Sequence, residues 1–87
     1  MPNSGRRSSK DRHFLGLVAN NIRKAREMKG YSQEEFAHIA GFSRSYYTEI
    51  ETGKRNISLL NLKKIMDALE MQANDVFDLS KPNDNTK

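Results

Sequence analysis

Residues 32–55 read SQEEFAHIAGFSRSYYTEIETGKR and carry the strongest structural signal in the chain. Ser32 and Glu35 form a capping-box pair, in which the serine hydroxyl accepts from the Glu35 amide and the carboxylate accepts from the Ser32 amide. Gly41 is a helix-ending residue, and Ser43 is the N-cap of a new helix. The stretch therefore predicts two short helices joined by a tight turn.

The residue types inside this stretch suit two helices that cross steeply. Ala37 is a small side chain where the two helices approach each other, and Gly41 tolerates the positive φ that a tight turn requires. Tyr47 and Ile50 are large side chains at helical spacing, so we expect them to hold the second helix against a core.

Further helices are predicted on both sides of this pair. Apolar residues at helical spacing from Leu15 to Ala25 predict a first helix that closes near Lys29. Ser58 is the N-cap of a helix with a broad apolar face, and residues 73–79 suit a short final helix. Because no stretch shows the strict alternation of a half-buried strand, the sequence predicts an all-α domain of four or five short helices.

The distribution of apolar residues sets the expected domain bounds. Every Leu, Ile, Val and Phe of the 87-residue chain lies within residues 14–79. We therefore expect one domain there, with a flexible basic N-terminal arm at 1–13 and a flexible C-terminal tail at 80–87. A unit of this size buries only about 60% of the surface of its unfolded chain, so dimerisation is a plausible source of further stability.

Charge and composition narrow the classes of function. Residues 1–30 hold eight Lys/Arg against two acids, and the whole chain carries a net charge of +4. The basic arm is either a phosphate-seeking extension or only an aid to solubility. The absence of cysteine and the presence of only two histidines predict no metal site and no cofactor. The acids and glycines form no acid-base pair or phosphate loop, so no enzymatic activity is expected.

No apolar run approaches the roughly 18 residues that cross a bilayer, and no signal-peptide core follows the basic N-terminus. We therefore expect a soluble, cytoplasmic protein with no membrane partner.

The central stretch resembles the helix-turn-helix of the phage-repressor/Cro (XRE) family of DNA-binding regulators. The similarity runs from about Leu17 to Phe77 and includes NNIRKAREMKGYSQEEFA before the turn and ETGKRNISLLNLKKIMDAL after it. It implies a five-helix repressor-like DNA-binding domain with the helix-turn-helix at helices 2 and 3. Within the family, RSYYTEIETGKRNISLLNLKKI is most similar to the small controller proteins of restriction-modification systems, which regulate their own promoter and the restriction gene.

Tyr47 departs from the family pattern, in which an aliphatic β-branched residue is usual at this buried position. A buried phenol needs a hydrogen-bond partner for its hydroxyl or a path to the surface. We therefore expect the packing of helix 3 to be slightly shifted.

Helix 3 is the expected recognition helix, with Arg44, Ser45, Thr48 and Glu49 on its outward face. The guanidinium of Arg44 suits the O6 and N7 edge of guanine, with a phosphate contact or a solvated arginine as alternatives. Ser45 and Thr48 suit a base edge or a thymine methyl, or are ordinary surface residues. Glu49 would repel phosphate unless it accepts from a cytosine amine or holds Arg44 in position.

Residues around helix 3 are expected to contact the DNA backbone. Gln33, at the first turn of helix 2, joins an amide donor to the positive end of a helix dipole, and in the family it also buttresses the recognition helix. Tyr46 resembles the tyrosine that controller proteins place at the DNA backbone or the groove edge; alternatively it shields the turn. In the loop after helix 3, the side chains of Lys54, Arg55 and Asn56 suit the sugar-phosphate backbone, or form an ordinary solvated loop. The complete set of predicted DNA-binding residues is Gln33, Ser43, Arg44, Ser45, Tyr46, Thr48, Glu49, Lys54, Arg55 and Asn56.

The resemblance also implies a structural salt bridge and a dimer. Arg26 and Glu51 match the positions of a salt bridge that ties helix 1 to the end of helix 3. One recognition helix touches few base pairs, and two-fold dimers read half-sites about 34–36 Å apart. Apolar residues beyond the core stripe form the predicted interface or complete a monomeric core: Ile57, Leu60, Met71, Val76 and Phe77.

These expectations define a sequence-specific transcriptional regulator. It would bind a pseudo-palindromic operator in double-stranded DNA as a homodimer, through the major groove, and a restriction-modification operon is a candidate target. RNA polymerase is a further candidate partner. The alternative is a protein-interaction module, such as an antitoxin, that holds a partner protein with helices 4 and 5.

Overall fold

The computed structural model describes residues 8–80 of the chain. Within them it contains five helices and no strand, which confirms the predicted all-α fold. None of these helices is long and apolar enough to cross a membrane. The helices are α1 (Ser9–Met28), α2 (Gln33–Ala40), α3 (Arg44–Glu51), α4 (Leu59–Leu69) and α5 (Ala73–Val76).

Serine N-caps begin the first four helices. In each case the hydroxyl accepts a hydrogen bond from the backbone amide three residues further on, which satisfies a donor that the helix itself leaves free. The predicted capping box is complete. The Glu35 amide donates to Ser32 Oγ at 3.0 Å, and Glu35 Oε1 accepts from the Ser32 amide at 2.8 Å.

The start of α1 lies further upstream than the apolar pattern indicated. The helix begins at Ser9 rather than near Leu15, so part of the predicted arm belongs to it. Ser8 accepts from the Asp11 amide at 3.1 Å, and Asp11 lies in the first turn, where the helix dipole favours an acid. Residues 9–13 are all exposed, which is why no apolar periodicity marked this turn. The rest of both predicted arms, 1–7 and 81–87, lies outside the described residues.

The turn between α2 and α3 has the expected geometry. Ala37 is 2% exposed, so no larger side chain would fit between the helices. Gly41 has a φ of 85° in the left-handed region, and the Phe42 amide donates to Ala37 O at 2.8 Å. This closes α2 and sends the chain directly into α3.

Aromatic and aliphatic side chains from all five helices form the core. The ring of Tyr47 meets the ring of Phe36 edge-on, with centroids 5.2 Å apart and planes at 60°. These two residues are fully buried, together with Ile22, Ile50, Ile65 and Val76. The core therefore fixes α3 by its inner face and leaves the opposite face free.

Val76 corrects one prediction about the dimer interface. It is 0% exposed and belongs to the core of the monomer. The side-chain Nδ2 of Asn21 on α1 donates to Val76 O and to Asp78 O, both at 2.9 Å, which draws α5 back onto α1 and turns Val76 inward. Phe77 stacks on Phe14 instead, with ring centroids 6.3 Å apart. A helix of four residues is too short for its periodicity to show which side faces the core.

Candidate nucleic-acid interface

The outward face of α3 presents the residues that were predicted to read DNA. Arg44 and Ser45 are exposed, and Thr48 and Glu49 are partly exposed. Within residues 8–80, the Arg44 guanidinium has no hydrogen-bond or ion-pair partner, so all of its donors are available. Ser43 is exposed but its hydroxyl is used as the N-cap of α3, accepting from the Tyr46 amide at 3.1 Å.

Gln33 joins the first turn of α2 to α3. Its Nε2 donates to Glu51 Oε1 at 3.0 Å, and its Oε1 lies 3.4 Å from the Thr48 hydroxyl, which donates to it. Both ends of the side-chain amide are therefore oriented by α3. Gln33 thus links α2 to α3, and its second Nε2 hydrogen is left free for a further acceptor.

A buried ion pair connects α1 with the end of α3. Arg26 Nε donates to Glu51 Oε2 at 2.6 Å, and Arg26 Nη2 donates to Glu51 Oε1 at 3.1 Å. The two side chains are 8% and 1% exposed. Arg26 Nη1 also donates to Tyr31 O at 2.5 Å, and the Tyr47 hydroxyl donates to Glu51 Oε2. This cluster of Arg26, Gln33, Tyr47 and Glu51 is called the anchor network below.

Protonation states in the anchor network are fixed by these contacts. Burial alone would raise the pKa of Glu51, but hydrogen bonds from Arg26, Tyr47 and Gln33 outweigh it and hold the pKa below its ordinary value. Burial, and then the bond to the Glu51 carboxylate, raises the pKa of Tyr47. The bond to Glu51 raises the pKa of Arg26. The carboxylate is therefore ionised and the phenol neutral near neutral pH.

Tyr46 is the centre of a second cluster, between α3 and α4. Asn61 Nδ2 donates to the Tyr46 hydroxyl at 2.8 Å, and the Tyr46 ring meets Phe42 edge-on with centroids 5.2 Å apart. The guanidinium carbon of Arg55 lies 5.1 Å from the centre of the Tyr46 ring, within cation–π range. Asn61 was not predicted, since nothing in its sequence context distinguishes it from an ordinary polar residue on α4.

The loop after α3 returns over the end of the helix. The Lys54 amide donates to Glu49 O at 3.0 Å, and Lys54, Arg55 and Asn56 are all exposed. Glu49 does not hold Arg44, as one alternative expected. It pairs with Arg55, whose Nε donates to Glu49 Oε1 at 2.8 Å, because this loop brings Arg55 alongside the last turn of α3.

Two short helices at a tight turn, the second packed by one face and exposed by the other, define a helix-turn-helix protein of the kind that reads duplex DNA. A family model described as "Helix-turn-helix" (HTH_3) matches residues 22–75. The chain belongs to this HTH_3, or XRE-type, family. It is thus a helix-turn-helix DNA-binding transcriptional regulator, as the sequence predicted.

Several of the similar proteins are control proteins of restriction-modification systems. The chain is 44% identical over 59 residues to control protein C.MunI from Mycoplasma sp, covering 67% of this chain and 80% of that protein. It is 38% identical over 65 residues to control protein C.BamHI from Bacillus amyloliquefaciens, covering 74% and 80%. The solved structure of the restriction-modification controller protein C.AhdI from Aeromonas hydrophila superposes with a TM-score of 0.68 at 38% identity, covering 72% of this chain and 96% of that one. These relatives are control proteins rather than enzymes, and the predicted resemblance to controller proteins is confirmed.

Proposed function

We propose that this chain is a sequence-specific regulator that binds a pseudo-palindromic operator as a homodimer through the major groove and controls a restriction-modification operon. One observation carries the proposal. Arg44, on the exposed first turn of α3, has a guanidinium with no partner within residues 8–80, while the helix beneath it is fixed by the buried Tyr47 and Ile50. A fixed helix with an unoccupied fork of donors is suited to the O6 and N7 edge of guanine.

Phosphate contacts would set the register of this helix. Gln33 has a free amide hydrogen at the N-terminus of α2, where the helix dipole favours an anion. Lys54 and Asn56 are exposed on the loop that follows α3. Contacts of this kind orient the protein on the duplex, while side chains on α3 distinguish the bases. Bound at its operator, the protein would block or recruit RNA polymerase according to where the operator lies.

The homodimer is supported by apolar surface that the monomer leaves uncovered. Leu60 is 74% exposed and Phe77 is 44% exposed. Ile57, just before α4, and Met71, between α4 and α5, are half-buried against the core. Burying such residues between two copies would join two recognition helices in one assembly, as in the two-fold dimers that read half-sites about 34–36 Å apart.

Selection of bound duplexes from a random pool tests the DNA-binding proposal. The protein should enrich one inverted repeat. Arg44→Ala should lose the preference for that site but keep weak nonspecific binding. Arg23→Ala is the matched control, since it removes the same charge from the exposed face of α1 and should leave the preference unchanged. Equal loss of specific and nonspecific binding in folded Arg44→Ala would instead assign Arg44 to the phosphate backbone.

Salt dependence distinguishes the proposal from a protein-interaction module. Affinity for a random duplex should fall steeply as salt rises, because neutralised phosphates release counterions. Absence of duplex binding at low salt would contradict the regulator and favour a module that holds another protein.

The dimer has its own test. Leu60→Ser should shift the equilibrium measured by sedimentation towards monomer. Met28→Ser, which changes an 87% exposed residue on α1 outside the predicted interface, is the control and should not. A monomeric wild-type protein at concentrations that saturate the operator would contradict the homodimer.

A further inference from the structure

Glu49 and Arg55 form an exposed ion pair beside the reading face of α3. Arg55 Nε lies 2.8 Å from Glu49 Oε1, and the two side chains are 50% and 47% exposed. The pair uses only one polar atom of each side chain. Within residues 8–80, Glu49 Oε2 and both terminal nitrogens of Arg55 have no hydrogen-bond partner.

The pair is held in place by its surroundings. The Arg55 guanidinium lies over the ring of Tyr46, which is itself fixed by the hydrogen bond from Asn61 and the edge contact with Phe42. A side chain that is already ordered loses less conformational entropy when it binds a ligand. Because a surface ion pair adds little to stability, stability alone gives little reason for such an arrangement.

Glu49 lies one turn after Ser45 on the outward side of α3. A carboxylate there approaches a polyanion and lowers the affinity for every duplex, unless it meets a hydrogen-bond donor. The major groove offers two kinds of donor, the N4 amine of cytosine and the N6 amine of adenine.

The neighbouring guanidinium selects between these two donors. In a guanine–cytosine pair the N4 donor lies next to the O6 and N7 acceptors of guanine. Arg55 has its Nε engaged with Glu49, so its two terminal nitrogens form an end-on fork that matches O6 and N7 together. An adenine–thymine pair has no adjacent pair of acceptors beside its amine, so the same fork makes one bond fewer.

We propose that Glu49 and Arg55 together read a guanine–cytosine pair in each half-site, with the free oxygen of Glu49 accepting from the cytosine N4 amine and Arg55 donating to guanine O6 and N7. This rests on the proposed function and names a second reading element beside Arg44. It also moves Arg55 from the predicted backbone contact to a base contact.

The test compares the duplexes that the wild-type protein and Glu49→Gln select from a random pool. The variant should lose its preference for guanine–cytosine at one position of each half-site by about 10-fold, the size of one good base contact. Glu34→Gln is the matched control, since it removes the same charge from the exposed face of α2 and should leave every position unchanged. Thermal melting should show that both variants remain folded.

A second arm replaces guanine by hypoxanthine at the selected position. This base keeps O6 and N7 but lacks the minor-groove amine, so affinity should stay within about twofold if the reading is in the major groove.

Three outcomes would overturn the inference. One is a uniform rise in affinity of Glu49→Gln for all duplexes, which would make Glu49 a repulsive group only. Another is strong loss of affinity with hypoxanthine. A third is a guanine–cytosine preference that survives in Glu49→Gln. Each of these results would leave the proposed regulator intact. Failure of the wild-type protein to enrich any site would instead contradict the proposed regulator and this inference together.

Discussion

Tyr47 donates its hydroxyl to the carboxylate of Glu51, one helical turn further along α3. The ring is fully buried against Phe36, so the phenol carries a polar atom through the core to the buried ion pair of Glu51 with Arg26. An aliphatic side chain at this position has no atom to make this bond. Glu51 also accepts from Arg26 on α1 and from Gln33 on α2, so α3 is held to these helices by hydrogen bonds as well as by apolar packing.

Tyr47→Phe should lower the free energy of unfolding by about 1–3 kcal/mol, because it removes a buried hydrogen bond and leaves the ionised Glu51 carboxylate with one donor fewer. Urea denaturation measures this. Tyr31→Phe is the control. Its hydroxyl has no hydrogen-bond partner among residues 8–80, so this change should have little effect. Equal stability of Tyr47→Phe and the wild-type protein would show that the bond contributes nothing.

Breaking the Arg26–Glu51 pair from one side should be worse than removing it altogether. Arg26→Met or Glu51→Leu alone leaves a buried charge without its partner and should cost about 3–5 kcal/mol. The double variant removes both charges and should be more stable than either single variant. A double-mutant cycle from urea unfolding checks this, and strictly additive losses would contradict it.

Acid should weaken the fold through Glu51. Its pKa in the folded protein is below the ordinary value of 4.5, so the unfolded chain takes up the proton first as the pH falls. The stabilisation is therefore complete above about that pH and is lost progressively below it, down to the pKa of the folded state. Thermal melting between neutral pH and acid pH should show a shallower decline for the Arg26→Met/Glu51→Leu double variant than for the wild-type protein. Parallel declines would remove Glu51 as a cause.

Gly53→Ala should be more destabilising than Gly41→Ala. Both glycines have positive φ, 76° and 85°, so each substitution carries a strain of about 1 kcal/mol. A methyl carbon at Gly53 would also lie 3.2 Å from Cα and 3.3 Å from N of Gly16, whereas a methyl at Gly41 meets nothing within 4 Å. Urea unfolding of the two variants gives the comparison. Equal stabilities of Gly53→Ala and Gly41→Ala would contradict the close approach of Gly53 to α1. Because Gly53 precedes Lys54 and Arg55, its replacement should also weaken DNA binding.

Local signals in the sequence specified most of the fold. Ser32, Ser43 and Ser58 cap their helices as predicted, and Gly41 adopts the expected left-handed conformation. These features depend only on residues within one helical turn of each other, so the local sequence is sufficient to predict them. The same holds for the outward position of Arg44, which follows from the inward position of Tyr47.

Contacts between residues far apart in the sequence could not be predicted from such local signals. The burial of Val76, the partnership of Glu49 with Arg55 rather than Arg44, and the bond from Asn61 to Tyr46 each depend on how a loop returns the chain to a distant element. Helical periodicity and capping signals describe a single segment, so they do not predict where a loop brings the next segment back against the fold. Which polar groups meet, and which apolar residue is covered, follows from the competition of all segments for one small core, because a chain this short has few ways to cover its apolar faces.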